Sequence, residues 1–299
     1  MSAPQSLSVE ELAPNESLIV PSEAPVSSDD PSIPELEREL VRRLKTGRAA
    51  LPVLPAVAQS AIRLANDPDA RITDLASLVD TDPPIAARFM SVANSVIYFR
   101  GWVTSSTQSA IVRLGLASTR DLLFQVVYAS NSGGLKKYQS AVQASFRRSV
   151  ISAHAARVIS RELSIGSEYD YMSGLLHDIG ESRIYRILDG LKMPTPPQLV
   201  ASLVQKYHES AGAEIAMAWK LPTEIVDACA AHHDSAAAAN PNVRLVMIAD
   251  CVVSALEAEA GQDKREVDFE PFDKLLIDPR IARRLIEKTR PLIGDPVKL

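Results

Sequence analysis

All five histidines of this 299-residue chain, His154, His177, His208, His232 and His233, lie in its second half. Two carboxylates join them there. Asp178 follows His177 directly. Asp250 interrupts the apolar helical pattern of Leu245, Ile248, Ala249, Val252 and Val253, where a charge needs a partner to offset its desolvation. Imidazole nitrogens and carboxylate oxygens suit Zn, Fe or Mn, and such ions lower the pKa of bound water and polarise phosphoryl oxygens, which is the chemistry of hydrolysis. The sharpest local signal is Leu175-Leu-His-Asp-Ile-Gly180: His177 and Asp178 end an apolar helix and can reach one ion from two sides, while Gly180 allows a tight exit and the close approach of another helix. Each histidine also has a plainer role. His154, among Val150, Ala153, Arg157 and Val158, would pack in a core. His208 would cap a helix where a Pro-rich loop gives way to it, and His232 and His233 would satisfy terminal carbonyls. The seven residues are spread over five predicted helices with none of the local spacing of a zinc finger, so spacing alone does not show that they converge.

The elements that must position them are helices. From Glu35 the apolar residues Leu36, Leu40 and Leu44 repeat at helical spacing, as do Val57, Ala61, Leu64 and Ala65 beyond an extended Leu51-Pro-Val-Leu-Pro55. Thr73 reads as the N-cap of a short helix burying Leu75, Leu78 and Val79. Asp82 caps the next, with Pro83 at its first position and a stripe of Ile85, Phe89, Val92 and Val96. Ser105 with Gln108 reads as a capping box before Ala110, Ile111 and Leu114, closed by Gly115, and Ser118 restarts a helix. Turn residues in Asn131-Ser-Gly-Gly134 mark a boundary. Helices are then expected near 138–163, 168–179, 198–219, 222–233 and 241–259, and no alternating β-branched run suggests a sheet. The expected organisation is all-α with two lobes: a Ser/Pro-rich acidic leader over 1–34, an N-terminal helical lobe over 35–130, a second lobe over 131–259, and a helical extension over 260–299 that packs back as a cap.

The leader has Pro4, Pro14, Pro21, Pro25, Pro31 and Pro34, six acids and no Lys or Arg, a composition that does not fold on its own. Its one apolar island, Leu18-Ile-Val20, could dock on a partner. Taking its six acids from the formal charge of −5 leaves the rest of the chain at +1. A nearly neutral body lacks the basic stripe of a general nucleic-acid binder. The two cysteines, Cys229 and Cys251, sit in apolar helical pattern and read as buried reduced thiols. With no signal-peptide pattern and no apolar run of membrane-spanning length, the cytoplasm is the expected compartment.

The order His154, His177-Asp178, His208, His232-His233, Asp250 resembles the HD superfamily of metal-dependent phosphohydrolases, whose ligands come from successive helices. More specifically, the chain resembles the HDOD family, signalling relatives of that superfamily, over about residues 45–255. The likeness is carried by Leu51-Pro-Val-Leu-Pro55, by Asp80-Thr-Asp82-Pro83 with Arg88 and Ala93-Asn-Ser95, and by Ser106–Gly115. It continues through Gly174-Leu-Leu-His-Asp-Ile-Gly180, His208 with Gly212-Ala213, Trp219-Lys-Leu-Pro222, His232-His233 and Ala249-Asp250. The resemblance implies a first metal set of His154, His177, Asp178 and Asp250. It implies a second of His208, His232 and His233 with Asp178 bridging, as in the cyclic-di-GMP phosphodiesterase branch. The chain departs from that branch at two places. Glu181 stands where the branch has Lys, and Asp234-Ser-Ala-Ala-Ala-Ala-Asn240 replaces its Gly-Tyr-Pro loop. A carboxylate in place of a phosphate-facing cation repels an anionic substrate.

The reading that follows is a bacterial signalling or scaffold module that binds a partner protein or a small ligand, a nucleotide among the candidates, without turnover. The alternative is a metal-dependent phosphohydrolase acting on a nucleotide or phosphoester, with Asp178 positioning a metal-bound water. A third class, DNA binding, would use Thr73–Ala93 as two short helices offering Arg88, Ser91 and Asn94 to bases. Asp74, Asp80 and Asp82 beside them favour packing instead.

Overall fold

The computed structural model describes residues 32–46, 60, 71–95, 98, 100–131, 133–260 and 267–292. The expected segments 1–31, Leu51–Pro55 and Val57–Ala65, with Val96, lie outside the described residues, apart from the isolated Ser60. Every regular element among those described is helical. The first is α1 (Ser32–Thr46), so Ser32–Pro34, assigned from sequence to the leader, form its opening turn. None of the described helices is long and apolar enough to cross a membrane.

Among the described residues four helices build the N-terminal lobe: α2 (Ile72–Val79), α3 (Pro83–Ala93), α4 (Thr107–Leu114) and α5 (Leu116–Asn131). They close on a core of Leu75, Val79, Phe89, Val92, Ile111, Leu114 and Leu123. Asp82 caps α3 as expected, accepting from the Ile85 amide at 3.2 Å, with Pro83 following it. Two caps differ by one or two positions. Arg71, extended at φ −88°, precedes α2, and its guanidinium grips Asp74 of the first turn, so Thr73 lies inside the helix. Ser106 rather than Ser105 caps α4, accepting from the Ser109 amide at 3.2 Å. Helix α5 starts at Leu116, two residues before Ser118, because Gly115 at φ +79° turns the chain at once. Asn94 is consumed internally: its carboxamide clamps both the amide and the carbonyl of Thr104, at 2.8 and 2.9 Å, and also receives Arg113.

The second lobe is organised on α6 (Gln139–Leu163), which ends at Ser164 in the left-handed region. Against it pack α7 (Asp170–Leu176), α11 (Pro241–Ala260) and α13 (Pro279–Thr289). The expected helix over 168–179 is α7, ended by His177-Asp178 as the sequence suggests, and a helix not expected from the sequence, α8 (Ile179–Asp189), follows at once. Helix α9 (Pro197–Ala218) lies along α8, and α10 (Thr223–Ala231) joins it to α11 through a 3₁₀ turn at Ser235–Ala239. The extension packs back through α12 (Glu270–Lys274) and α13, burying Phe272, Ala282, Leu285 and Ile286 against Ile159, Leu245 and Val252. Among the described residues, helix α1 packs on the second lobe. It buries Leu36, Leu40 and Leu44 against Ile184, Ile187, Leu199 and Leu203 of α8 and α9. Arg183, fully buried, fastens that junction by donating to the Leu44 carbonyl at 3.0 Å and to Glu214 at 2.6 Å.

Candidate metal centre

The break between α7 and α8 puts His177 and Asp178 at the centre of the second lobe, both buried. It depends on helix backbones lying unusually close. A Cβ on Gly174 would come within 2.7 Å of the Ser152 carbonyl of α6, and one on Gly180 within 1.9 Å of the His208 carbonyl of α9. The sequence anticipates the second approach. His208 is not a cap: it lies in the middle of the 22-residue α9, since Pro197 opens the helix rather than preceding it, and the approach of α8 carries its ring into the cluster.

Three imidazoles are oriented alike. The Nδ1 atoms of His177, His208 and His232 meet the carbonyls of Gly174, Val204 and Ala228 at 2.9, 3.0 and 2.9 Å, which places the proton on Nδ1 and turns each Nε2 inward. There His208 Nε2 and His232 Nε2 stand 3.1 Å apart, and 3.5 and 3.2 Å from Asp178 Oδ1. His177 Nε2 lies 3.1 Å from Asp178 Oδ2 and 3.5 Å from Asp250 Oδ1, yet it aligns with neither as a hydrogen bond. Imidazole and carboxylate atoms drawn this close around one point are the mark of a shared ligand position. Two ligands each about 2.1 Å from an ion stand roughly 3.0–3.4 Å apart for right-angled to tetrahedral coordination.

Two sets of ligand atoms result, Asp178 with His208, His232 and His233, and His177 with Asp178 and Asp250, each within 4.8 Å. Asp178 is common to both. His233, on the solvent side, is steadied by Glu209, which accepts its backbone amide at 2.9 Å. Burial opposes charge on Asp178 and Asp250, but the facing imidazoles outweigh it, holding Asp178 well below the usual carboxylate range and Asp250 down at about 2. Burial likewise opposes protonation of His177, and the two carboxylates outweigh it, lifting that imidazole well above its ordinary value. The residues fit a metal ion of borderline softness.

His154 does not join them. Its ring packs edge-on to Tyr171 at 5.2 Å, in a separate cavity between the lobes. The α6 residue that faces the cluster is Arg148, whose Nη2 lies 3.1 Å from both Asp250 Oδ1 and Ser254 Oγ, while Nη1 holds Glu257. Sequence reasoning missed it, because Arg147 and Arg148 stand side by side among Gln143, Ser145 and Ser149 and nothing local says which guanidinium turns inward. Glu181, in the first turn of α8, is largely buried, and burial together with the charge of Asp178 pushes its carboxyl up to about 7.

The cluster opens on a cavity of about 610 Å³ lined by His232, His233, Asp250 and Cys251, with Lys274 and Leu275 of the extension forming its outer wall. Cys251 is only half-buried there, whereas Cys229 is fully buried; both are free thiols.

Residues 51–235 match the family model described as the HDOD domain. An uncharacterised protein of Treponema pallidum is 23% identical over 231 residues, and ribonuclease Y of Thermus thermophilus is 30% identical over 186 residues. The chain spans less than half of these relatives, 44% of the first and 27% of the second, while the alignments cover 72% and 62% of this chain. Among solved structures, a candidate metal-dependent phosphohydrolase from Shewanella amazonensis superposes with a TM-score of 0.67 at 22% identity, covering 86% of this chain and 99% of that one. An HDOD domain protein of unknown function from Geobacter sulfurreducens gives 0.62 at 23%, covering 89% and 99%. These two likenesses establish the shared helical fold. With the family model covering more than half its length, the chain belongs to the HDOD domain family.

Proposed function

We propose that this protein is an HDOD signalling or scaffold module that binds a partner protein or small ligand without turning it over, and that Asp178, His208, His232 and His233 hold a single metal ion as a fixed element of the site. The observation that carries this reading is Arg148 on Asp250. A two-metal hydrolytic centre needs both ions, one on the attacking and one on the leaving oxygen. At the His177, Asp178 and Asp250 set, a guanidinium tied to the chain already neutralises Asp250, and a carboxylate engaged in a charge-assisted pair is a poor ligand. No Lys or Arg ion pair is made by the four-residue set among the described residues.

An ion bound there would supply Lewis acidity and a water of lowered pKa. The neighbouring side chains do not complement that chemistry. Glu181 sets a buried carboxyl beside Asp178, and Arg148 is spent on Asp250, Ser254 and Glu257 rather than left for a phosphate. The hydrolytic reading keeps one specific support, the complete second ligand set, in a chain similar over 186 residues to a ribonuclease Y.

One experiment separates the two. The protein is purified without added metal, its metal content measured by mass spectrometry, and a panel of phosphomonoesters, phosphodiesters and cyclic dinucleotides assayed before and after reconstitution with Mn, Fe or Zn. At most one equivalent of metal and no turnover is the expected result. Two equivalents with turnover that is lost in Asp178→Ala would establish the hydrolase instead.

A further inference from the structure

Helix α4 turns Thr107, Ala110, Ile111 and Leu114 inward and leaves its other face to solvent. Val112 stands on that outer face, 61% exposed, while Trp102 and Val103 of the preceding loop are 65% and 70% exposed. Trp102 and Val112 line one groove of about 440 Å³ with Arg100, Gln108, Ser109 and Arg113. A single exposed apolar residue is ordinary, but a tryptophan and two valines gathered on one surface mark a docking place. The exposure is built in. Gly101, at φ +92°, bends the chain before Trp102, whose carbonyl accepts from Arg113 Nη2 at 2.8 Å, and Asn94 clamps Thr104 just beyond. An indole held out on a fastened backbone is already ordered for a contact, which lowers the entropy that contact must overcome.

The charges of the groove have one sign. Arg100 and Arg113 line it and no carboxylate does. Arg113 donates to neutral groups, the Ala93 and Trp102 carbonyls and the Asn94 carboxamide, and Arg100 is exposed with no ion pair among the described residues. Asp80, the carboxylate bonded to α4, is engaged by the buried Thr107 hydroxyl on the helix's inner face.

One segment of the chain has the matching chemistry. Glu16-Ser-Leu18-Ile-Val20-Pro-Ser-Glu23 sets three consecutive apolar side chains between two carboxylates, within residues 1–31, which hold six acids and no Lys or Arg. It lies outside the described residues. Eleven residues separate Val20 from Ser32, where α1 begins. At about 3.3–3.6 Å per residue they reach up to roughly 40 Å, about twice the radius of gyration of roughly 19 Å expected for a chain this long.

We infer that Leu18-Ile-Val20 docks on the groove of Trp102 and Val112 in its own chain, with Glu16 and Glu23 toward Arg100 and Arg113. The tether supplies an effective concentration on the order of millimolar, so a contact too weak to retain a separate peptide still keeps the groove filled. This face of the N-terminal lobe is then closed to a partner of the same acidic and apolar chemistry until that partner outcompetes the leader. The inference is independent of the metal cluster.

The test uses the full chain in a Trp219→Phe background, which leaves Trp102 as the single tryptophan, and acrylamide, an uncharged quencher, reads its accessibility. Leu18→Ser, Ile19→Ser and Val20→Ser combined should raise the quenching constant about twofold or more, as the groove empties. A synthetic peptide of residues 10–25 should bind that triple variant with a Kd of about 0.1 mM and the unsubstituted leader's protein about tenfold more weakly, because the tethered segment competes. Arg100→Glu and Val112→Ser, both at exposed positions, should each weaken the peptide about threefold or more on the triple variant, the first of them only at low salt. Unchanged quenching in the triple variant, a peptide that binds neither protein or both alike, or one indifferent to Val112→Ser would overturn the inference. So would protection of Trp102 that grows with protein concentration, since a second copy would then supply the segment.

Discussion

Replacing Gly180 by Ala puts the positioning of the cluster under direct mechanical test. The new methyl carbon would stand 1.9 Å from the His208 carbonyl oxygen and 2.5 Å from the Gly212 amide, both backbone atoms of α9 that cannot rotate aside. To restore the about 3.3 Å at which carbon and carbonyl oxygen meet, α8 and α9 must separate by roughly 1.4 Å. Overpacking of this kind costs about 1–3 kcal/mol, and more where only backbone can yield, so a loss of about 3 kcal/mol is expected. At roughly 2–4 °C per kcal/mol for a chain of this size, the unfolding temperature should fall by about 6–12 °C. His208 moves with the displaced carbonyl, and metal sites tolerate only about 0.2 Å in their distances, so metal retention should be lost as well. Gly212 at the same crossing supplies the control. Its Cβ would find the Gly180 amide at 3.4 Å and Cys229 Cβ at 3.5 Å, ordinary contacts, so Gly212→Ala should keep its metal and gain about 0.5–1 kcal/mol from helix propensity. Calorimetry and metal analysis on both variants decide the matter. A Gly180→Ala protein as stable and as metal-loaded as wild type, or two variants equally damaged, would refute the reasoning.

Two further expectations rest on the charges around the cluster. Glu181 has a folded pKa of about 7, above its ordinary 4.5, so the folded state binds its proton more tightly, and the stability this lends is full below 4.5 and lost as pH rises toward 7. At about 1.4 kcal/mol per pH unit the loss is at most roughly 3 kcal/mol. In metal-free protein, Glu181→Gln should flatten the fall in unfolding temperature between pH 5 and 8, and an unchanged pH profile would remove Glu181 as its source. Arg148→Met should destabilise metal-free protein by up to about 3 kcal/mol, since it strips the buried Asp250 of its guanidinium and leaves it His177 alone. Added Mn or Zn should then recover about 2.7 kcal/mol at a hundredfold excess over Kd, with a second equivalent bound. A variant that stays at one equivalent would mean that Arg148 is not what keeps the second ion out.

The helices were largely legible because their signals are local. Apolar stripes set α3, α6 and α11, and Asp82 with Pro83 fixes the start of α3. Sites that depend on which face of a helix looks inward were less so. Arg148 and His154 lie six residues apart on α6, about 240° around its axis, and the order of histidines along a chain carries no information about that angle. His154 therefore fits the family's sequence order and faces the wrong side. Six of the seven residues do converge, because the tight His177-Asp178 break and the Gly180 approach are themselves written in the sequence. The partners of α1 were hidden for a different reason: Leu36, Leu40 and Leu44 announce a buried face, but only tertiary packing says that the face belongs to α8 and α9.

That packing has a mechanical consequence. The helices before and after the N-terminal lobe in sequence, α1 and α6, are both anchored in the same second body, so the lobe is a loop of structure with both feet on one base. α5 is tied to that base as well, burying Phe124 and Tyr128 against Val150, Tyr171 and Ile179, so any displacement of the lobe would have to pivot on α5. Such a displacement would open or shut the space walled by Leu122 on one side and Val158 on the other. A ligand filling that space would therefore set the angle at which α2–α4 are presented.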